Sequence, residues 1–127
     1  MQSSMRPNQR GFTLVELLVV VAVVGVLSTI ALTFYANVQA RSRVAKAEAD
    51  TRTMAGAIGA FQAHMGQVPA ALTDLTTPQT NVSGAVSGPF MASTPTPPSG
   101  WTYGYSIGGV NGYQITATGD STTITRP

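Results

Sequence analysis

The feature that most constrains this chain is the run from Leu17 to Ala40, which contains no charged side chain. As an α-helix this run would rise about 36 Å, enough to cross the roughly 30 Å hydrocarbon core of a bilayer. Glu16 lies at the start of the run, where a carboxylate is costly unless a positive group pairs with it. The sequence therefore predicts a membrane helix whose acid finds its partner when the chain assembles with another molecule.

The residues before this helix form a short polar segment. Met1 to Arg10 includes Arg6 and Arg10 and no acid, which predicts a leader that stays on the cytoplasmic side of the membrane. An ordinary secretory signal has its small-residue cleavage site after the apolar run. Here Gly11 precedes the run, so an ordinary cleaved signal is not favoured.

The helical pattern continues well past the apolar run. No proline interrupts the chain from Thr13 to about Met65, and good helix formers dominate, so one continuous helix is predicted. Its second half is amphipathic, because apolar or small residues recur at alternating spacings of three and four: Val44, Ala47, Thr51, Met54, Ile58, Phe61 and Met65. We expect this stripe to pack on a small sheet, with a coiled-coil seam against a neighbour as the alternative.

The composition changes after the helix. Gly66 fits a helix C-cap and Pro69 prevents continuation of the helix. A short helical turn should follow, with Leu72 and Leu75 facing the core. The segment from Thr76 to Gly100 is rich in Thr, Ser, Gly and Pro, which predicts an irregular loop.

The end of the chain predicts a small antiparallel sheet. Three strand candidates are separated by hairpin-compatible turns at Gly108–Gly112 and Gly119-Asp120: Thr102 to Ile107, Tyr113 to Thr118 and Thr122 to Arg126. Apolar residues alternate with polar ones in the second strand, as in a sheet with one buried face. The predicted fold class is α+β, with a long N-terminal helix packed on about three C-terminal strands.

The segment from Gly11 to Leu27, GFTLVELLVVVAVVGVL, resembles the N-terminal signal of type IV pilins and type II secretion pseudopilins. The resemblance covers about residues 6 to 45, and the segment from Gly66 to Leu75 resembles the turn that follows the helix in pseudopilins. It implies that a prepilin peptidase cuts between Gly11 and Phe12 and methylates the new amino group of Phe12. A bulky residue in place of this glycine should block processing, because the enzyme must approach the backbone closely.

The resemblance also implies how the subunits assemble. Glu16 would pair with the positive amino terminus of Phe12 on an adjacent subunit within a helical polymer. The implied partners are further copies of the chain, minor pilins or pseudopilins, and the inner-membrane assembly platform and its ATPase. The head would lie outside the cytoplasm, first on the inner membrane and then in a periplasmic pseudopilus or a cell-surface filament.

One position departs from the family pattern. Many family members have a proline eight residues after a glycine in the middle of the apolar segment. Here the glycine is Gly25 and the later position is Thr33. The bend of the family helix is therefore not predicted, and Gly25 with Ser28-Thr29 remains as a weaker site of flexibility.

Chemical sites are sparse in the sequence. His64 has no acidic neighbour and the acids are scattered, so no catalytic residue is predicted. The basic residues form no cluster suited to a phosphate backbone, which gives no reason to expect a nucleic-acid partner. Major pseudopilins commonly bind calcium through an acidic loop in the head, but here only Asp120 follows the last hairpin. We expect no cofactor, and calcium at Asp120 is a weak alternative.

These observations predict a filament subunit of either a type II secretion pseudopilus or a type IV pilus, and not an enzyme. The alternative is a single-pass membrane-anchored binding module outside the cytoplasm that forms no filaments. The predicted organisation is a leader (1–11), a membrane and polymerisation helix (12–40), its amphipathic continuation (41–66) and a head (67–127) that contains the loop 76–100 and the sheet 102–126.

Overall fold

A computed structural model of the chain describes residues 11–127, so the predicted leader lies almost entirely outside the described residues. Two compact units divide the chain: the N-terminal unit ends at Val38, and the C-terminal unit runs from Gln39 to Pro127. Helix α1 (Leu14–Met65) contributes to both units. The elements that follow it are a 3-10 turn (Leu72–Thr76), β1 (Gln79–Thr80), β2 (Val86–Ser87), β3 (Thr102–Ile107), β4 (Tyr113–Gly119) and β5 (Thr122–Arg126).

The N-terminal unit exposes apolar side chains on every side of α1. Leu17, Val20 and Val24 illustrate the pattern, with exposed fractions of 63%, 55% and 55%. The most apolar window of 18 residues has a mean hydropathy of 2.7, and none of it is buried. By its length and composition, α1 can cross a membrane.

In the C-terminal unit, α1 buries one face. Its buried residues are Ala47, Thr51, Met54, Ala57, Ile58, Phe61 and Met65, and Val44 is half-buried beside them. The predicted stripe is therefore confirmed, and Ala57 joins it. α1 ends as expected, because Gly66 has a φ of 74° and its N–H donates to the Gln62 carbonyl at 2.8 Å.

The stripe packs on a three-stranded antiparallel sheet in which β4 lies between β3 and β5. Alternate side chains of β4 are buried, and Tyr113 and Ile115 share a core with Met54, Ile58 and Phe61 of α1. Leu75, from the 3-10 turn, is fully buried in the same core, while Leu72 packs against its edge. The predicted α+β pilin-like fold is confirmed.

Two details of the prediction were wrong. The segment 76–100 is not wholly irregular, because β1 and β2 pair as a short antiparallel ribbon. The Asn81 side-chain oxygen closes the turn of this ribbon by accepting from the N–H groups of Ser83 at 3.0 Å and Ala85 at 2.9 Å.

The second error concerns the last hairpin. β4 extends through Gly119, which pairs with Thr122, so the two-residue turn is Asp120-Ser121 and not Gly119-Asp120. Both turn residues have positive φ, 47° and 57°, which is the backbone of the favoured two-residue hairpin. Glycine was expected in that turn, but it lies one residue earlier, at the end of β4.

Candidate functional site

The predicted cleavage site lies just before α1. Gly11 is exposed, and a Cβ built on it meets no atom within 4 Å. Phe12 is 90% exposed, so both sides of the scissile bond are accessible in the described chain. Cleavage at this bond and methylation of Phe12 remain predictions.

Glu16 is held by its own helix. Its Oε2 atom accepts hydrogen bonds from the backbone N–H of Thr13 at 2.9 Å and from the Thr13 hydroxyl at 2.8 Å. In return, the Glu16 N–H donates to Thr13 Oγ1 at 3.2 Å. This reciprocal arrangement is a capping box, which satisfies donors that the first turn of a helix would otherwise leave unpaired.

Sequence reasoning missed this role of Glu16. The Thr13-x-x-Glu16 pattern directly before an apolar run is the signature of a capping box, so the signal was present in the sequence. The box occupies only one carboxylate oxygen. Within residues 11–127, Oε1 of Glu16 accepts no hydrogen bond and remains accessible to a positive group.

The hydroxyl groups in the middle of the N-terminal unit bond to their own helix. Ser28 donates to the Val24 carbonyl at 2.7 Å and Thr29 to the Gly25 carbonyl at 3.1 Å, while Thr33 donates to a carbonyl three residues earlier at 2.8 Å. α1 continues unbroken through these residues. Such bonds compete weakly with the helical hydrogen bonds and often bend a helix, so flexibility at Gly25 and Ser28-Thr29 stays a prediction.

A second cluster of polar groups lies in the C-terminal unit around Asp120. Arg43 donates to both carboxylate oxygens, Nε to Oδ2 at 2.7 Å and a terminal nitrogen to Oδ1 at 2.8 Å. The indole N–H of Trp101 donates to Oδ2 at 2.8 Å. The Arg43 guanidinium first, and then the Trp101 N–H, lower the pKa of Asp120 from 3.8 to about 2, and the same bond to Asp120 raises the pKa of Arg43.

This cluster explains the turn of the last hairpin. The Trp101 ring is buried directly over Gly119, so a Cβ at that position would collide with the indole. Glycine is therefore required for this close approach. Trp101 and Arg43 together fix the carboxylate of a turn whose two residues both have positive φ.

Asp120 was the weak candidate for a calcium ligand. Both of its oxygens are bound by Arg43 and Trp101, so a cation would have to displace the guanidinium. Asp74, in the 3-10 turn, accepts instead from the Ala71 N–H at 3.0 Å. Across residues 11–127, no group of three or more His, Cys, Asp or Glu side chains is arranged to hold a metal ion.

A further network ties α1 to the rest of the C-terminal unit. Oδ2 of Asp50 accepts from the Lys46 ammonium at 2.5 Å and from the Tyr103 hydroxyl at 2.6 Å. Lys46 also donates to the Thr96 carbonyl at 2.8 Å, which anchors the loop to the helix. Burial raises the pKa of Tyr103, and its hydrogen bond to Asp50 adds to that effect. Tyr103 is half-buried and packs against the core.

Comparison with known families agrees with this architecture. The prokaryotic N-terminal methylation motif matches residues 6–32. An apolar N-terminal helix that begins within this motif and continues into a head with a small antiparallel sheet defines the pilin class of proteins. Within that class, the chain belongs to the type II secretion system protein G family, whose profile matches residues 35–123.

Curated relatives match shorter parts of the chain. The type IV major fimbrial protein FimA of Dichelobacter nodosus is 46% identical over 54 residues, which are 42% of this chain and 35% of FimA. The type IV major pilin PilA of Myxococcus xanthus is 40% identical over 41% of this chain and 24% of PilA. The fimbrial protein EcpC of Eikenella corrodens is 39% identical over 49% of this chain and 40% of EcpC. The matches therefore span less than half of each relative, and no solved structure matches the chain.

Proposed function

We propose that this chain is a structural subunit of a type IV pilus-like filament that polymerises through the N-terminal unit of α1. The observation that carries the proposal is the contrast in burial along that helix. The C-terminal unit covers its own apolar stripe, whereas the N-terminal unit leaves its apolar side chains exposed all round. Such a surface must be covered by lipid or by other apolar helices. The membrane covers it with lipid before assembly, and the filament covers it with the helices of other subunits.

Glu16 sets the register of the polymer in this proposal. After cleavage between Gly11 and Phe12, the amino group of Phe12 on an adjacent copy would approach the unoccupied Oε1. Opposite charges attract strongly where water is scarce, but desolvation offsets much of that gain. The pair therefore selects the correct position of one subunit against the next more than it adds net stability.

A type II secretion pseudopilus is the system that we favour. The match of the protein G family to residues 35–123 supports it, because that region includes β3, β4 and the first two residues of β5. A type IV pilus is the second candidate, supported by the fimbrial proteins among the relatives. Either system requires a prepilin peptidase, minor subunits, and an assembly platform with its ATPase in the inner membrane, with the head outside the cytoplasm.

Neither an enzyme nor a solitary binding module explains the exposed helix as well. The acids Asp50 and Asp120 are engaged by cations within the C-terminal unit, which supports a structural role for them. A membrane-anchored binding module would keep its amino terminus uncut and would form no large assemblies. That expectation separates it from a filament subunit.

The deciding experiment is intact mass and amino-terminal sequencing of the chain purified from the membrane and the shear fraction of its native host. We expect a mature chain that begins with N-methylated Phe12. An amino terminus at Met1, or a cut beyond Ala31, would contradict the proposal. Deletion of the gene then separates the two systems, because loss of protein export with no change in surface filaments indicates the pseudopilus.

A further inference from the structure

Most of the charged side chains of the C-terminal unit are paired within the unit. Three ion pairs join neighbouring groups at 2.7, 2.5 and 3.8 Å: Arg43–Asp120, Lys46–Asp50 and Arg52–Glu48. Arg126 has no acid beside it, but its Nε donates to the buried Thr51 hydroxyl at 3.0 Å. Among residues 39–127, the charged side chains that form no ion pair are Arg41, Asp74 and Arg126, and of the two arginines only Arg126 is held by a side-chain hydrogen bond.

Arg41 lies at a groove on the surface of the C-terminal unit. The groove has a volume of about 310 Å3, and Ala40, Val44 and Ala45 give it an apolar lining. Asp120 and Glu48 also line it, but each is already paired, with Arg43 and Arg52 respectively. No hydrogen bond or ion pair holds Arg41 in the described chain, so the groove combines apolar contact surface with one uncompensated positive charge.

Asp74 lies on a surface with the complementary character. It belongs to the 3-10 turn after α1. Ala70 and Ala71, directly before that turn, are exposed, and Leu72 is half-buried. Oδ2 of Asp74 accepts from the Ala71 N–H, and Oδ1 accepts no hydrogen bond within residues 11–127. The turn from Ala70 to Asp74 therefore combines small apolar side chains with one uncompensated negative charge.

We propose that the turn from Ala70 to Asp74 of one copy docks in the Arg41 groove of the next copy, with the Asp74 carboxylate paired to the Arg41 guanidinium. This inference rests on the proposed function, since it requires a polymer. The two surfaces are different patches of one chain, so their contact is head-to-tail and leaves a free groove and a free turn for further copies. A guanidinium and a carboxylate form a directional pair, so the contact fixes the orientation of each head more than it adds affinity.

A disulfide test measures this contact directly, because the chain has no native cysteine. Full-length Arg41→Cys with one epitope tag and Asp74→Cys with a second tag are expressed together with wild-type chain in the native host. We expect oxidised filaments to contain a heterodimer that carries both tags. Arg52→Cys is the matched control in place of Arg41→Cys, since it lies exposed on the same helix, and it should give at least ten-fold less heterodimer. Assembled filaments without the heterodimer, or with equal linkage through the control, would overturn the proposal.

Charge exchange provides the second test. Arg41→Glu or Asp74→Arg alone should lower the amount of assembled filament several-fold, and the double variant should recover most of the loss. Asp74→Asn serves as a control that keeps an acceptor for the Ala71 N–H while it removes the charge, and it should lower assembly without unfolding the head. Loss in Arg41→Glu with no recovery in the double variant would indicate that Arg41 binds another anion, such as a lipid headgroup, and would overturn the contact.

The two proposals fail in different ways. Filaments built from subunits that begin at Phe12, but that never link position 41 to position 74, would remove this contact and leave the filament function intact. Wild-type chain with an uncut amino terminus and no assemblies would remove both.

Discussion

The two parts of α1 show how differently one helix can satisfy apolar side chains. In the C-terminal unit the apolar residues form a stripe, and Met54 and Ile58 are fully buried against the sheet. In the described part of the N-terminal unit, residues 11–38, apolar residues occupy every side of the helix, and all of them are exposed. The apolar stripe of the C-terminal unit is buried by the chain's own sheet, whereas the apolar surface of the N-terminal unit must be covered by lipid or by other subunits. One helix therefore supports both a folded head and an assembly surface.

The hydrogen bonds of polar side chains also differ between the two parts of the chain. In the N-terminal unit they bond to residues three or four positions away, as Glu16 does with Thr13 and Ser28 with Val24. In the C-terminal unit some bonds are also local, such as the Lys46–Asp50 pair, but others reach across the fold, as Arg43 does to Asp120, 77 residues later. Local bonding leaves the outside of the N-terminal helix free for apolar contacts, while long-range bonding joins the head to its helix.

The largest expected effect comes from blocking access to the cleavage bond. Gly11→Leu places a bulky side chain where the peptidase must approach the backbone, so we expect no mature chain and no filament. The measurement is amino-terminal sequencing together with electron microscopy of the shear fraction. Gly25→Ala is the control, because a Cβ there also meets no atom within 4 Å, and that variant should be processed normally. Normal processing of Gly11→Leu would contradict the predicted role of the glycine.

The next effect separates the two kinds of apolar residue. Ile115→Ala empties a fully buried site, so we expect the free energy of unfolding of the head to fall by about 2–5 kcal/mol. Val24→Ala, on the exposed part of α1, should change the same quantity by less than about 0.5 kcal/mol. Denaturant titration of the full chain in detergent, followed by Trp101 fluorescence, measures both. Equal losses of unfolding free energy for the two substitutions would contradict the claim that only the buried residue stabilises the head.

The features that the sequence predicted correctly are those that depend on the periodic spacing of apolar residues within one element. The spacing from Ala47 to Met65 identified the buried face of α1, and the alternation from Tyr113 to Ala117 identified the buried face of β4. The cleavage residues and Glu16 were assigned by the resemblance of the motif, and their roles remain predictions. The capping box of Glu16 was also readable, since it depends on Thr13 only three residues away.

What the sequence did not predict depends on contacts between distant residues. No local pattern links Arg43 to Asp120 or Tyr103 to Asp50, because the fold alone brings them together. The same cause explains the wrong turn of the last hairpin, since Gly119 is required by the Trp101 ring and not by the turn itself. Isolated acids and bases in a sequence thus say little until their partners are known.

A smaller effect tests the network between α1 and β3. Tyr103→Phe removes the hydroxyl that donates to Asp50 at 2.6 Å while it keeps the ring in the core. We expect a loss of about 1 kcal/mol in the free energy of unfolding of the head, measured by the same denaturant titration. Tyr105→Phe is the matched comparison, because that hydroxyl donates to an uncharged carbonyl, of Pro69, and should cost less. A larger loss for Tyr105→Phe would contradict the assigned importance of Asp50.

Acid should weaken the head through Asp120. The folded state holds the pKa of this carboxyl at about 2, below its ordinary value of 3.8, so the unfolded chain takes up the proton first. The stabilisation from Asp120 is then complete above about pH 4 and is lost as the pH falls towards about 2. Thermal unfolding across this range should show a decrease that is smaller in Asp120→Asn. The same slope in both proteins would mean that other carboxyl groups dominate the acid response.

The smallest expected effect is the response to calcium, and it tests whether the ion pair occupies the place of a metal ligand. Because Arg43 and Trp101 already bind both oxygens of Asp120, added calcium or EGTA should leave the unfolding temperature of the full chain unchanged. The informative variant is Arg43→Gln, which removes the guanidinium from both carboxylate oxygens and leaves the Trp101 bond to Oδ2. Calcium that stabilises Arg43→Gln but not the wild type would show that the guanidinium excludes the ion. Calcium that stabilises the wild type, with the effect lost in Asp120→Asn, would show instead that the ion displaces the guanidinium and that Asp120 is a ligand.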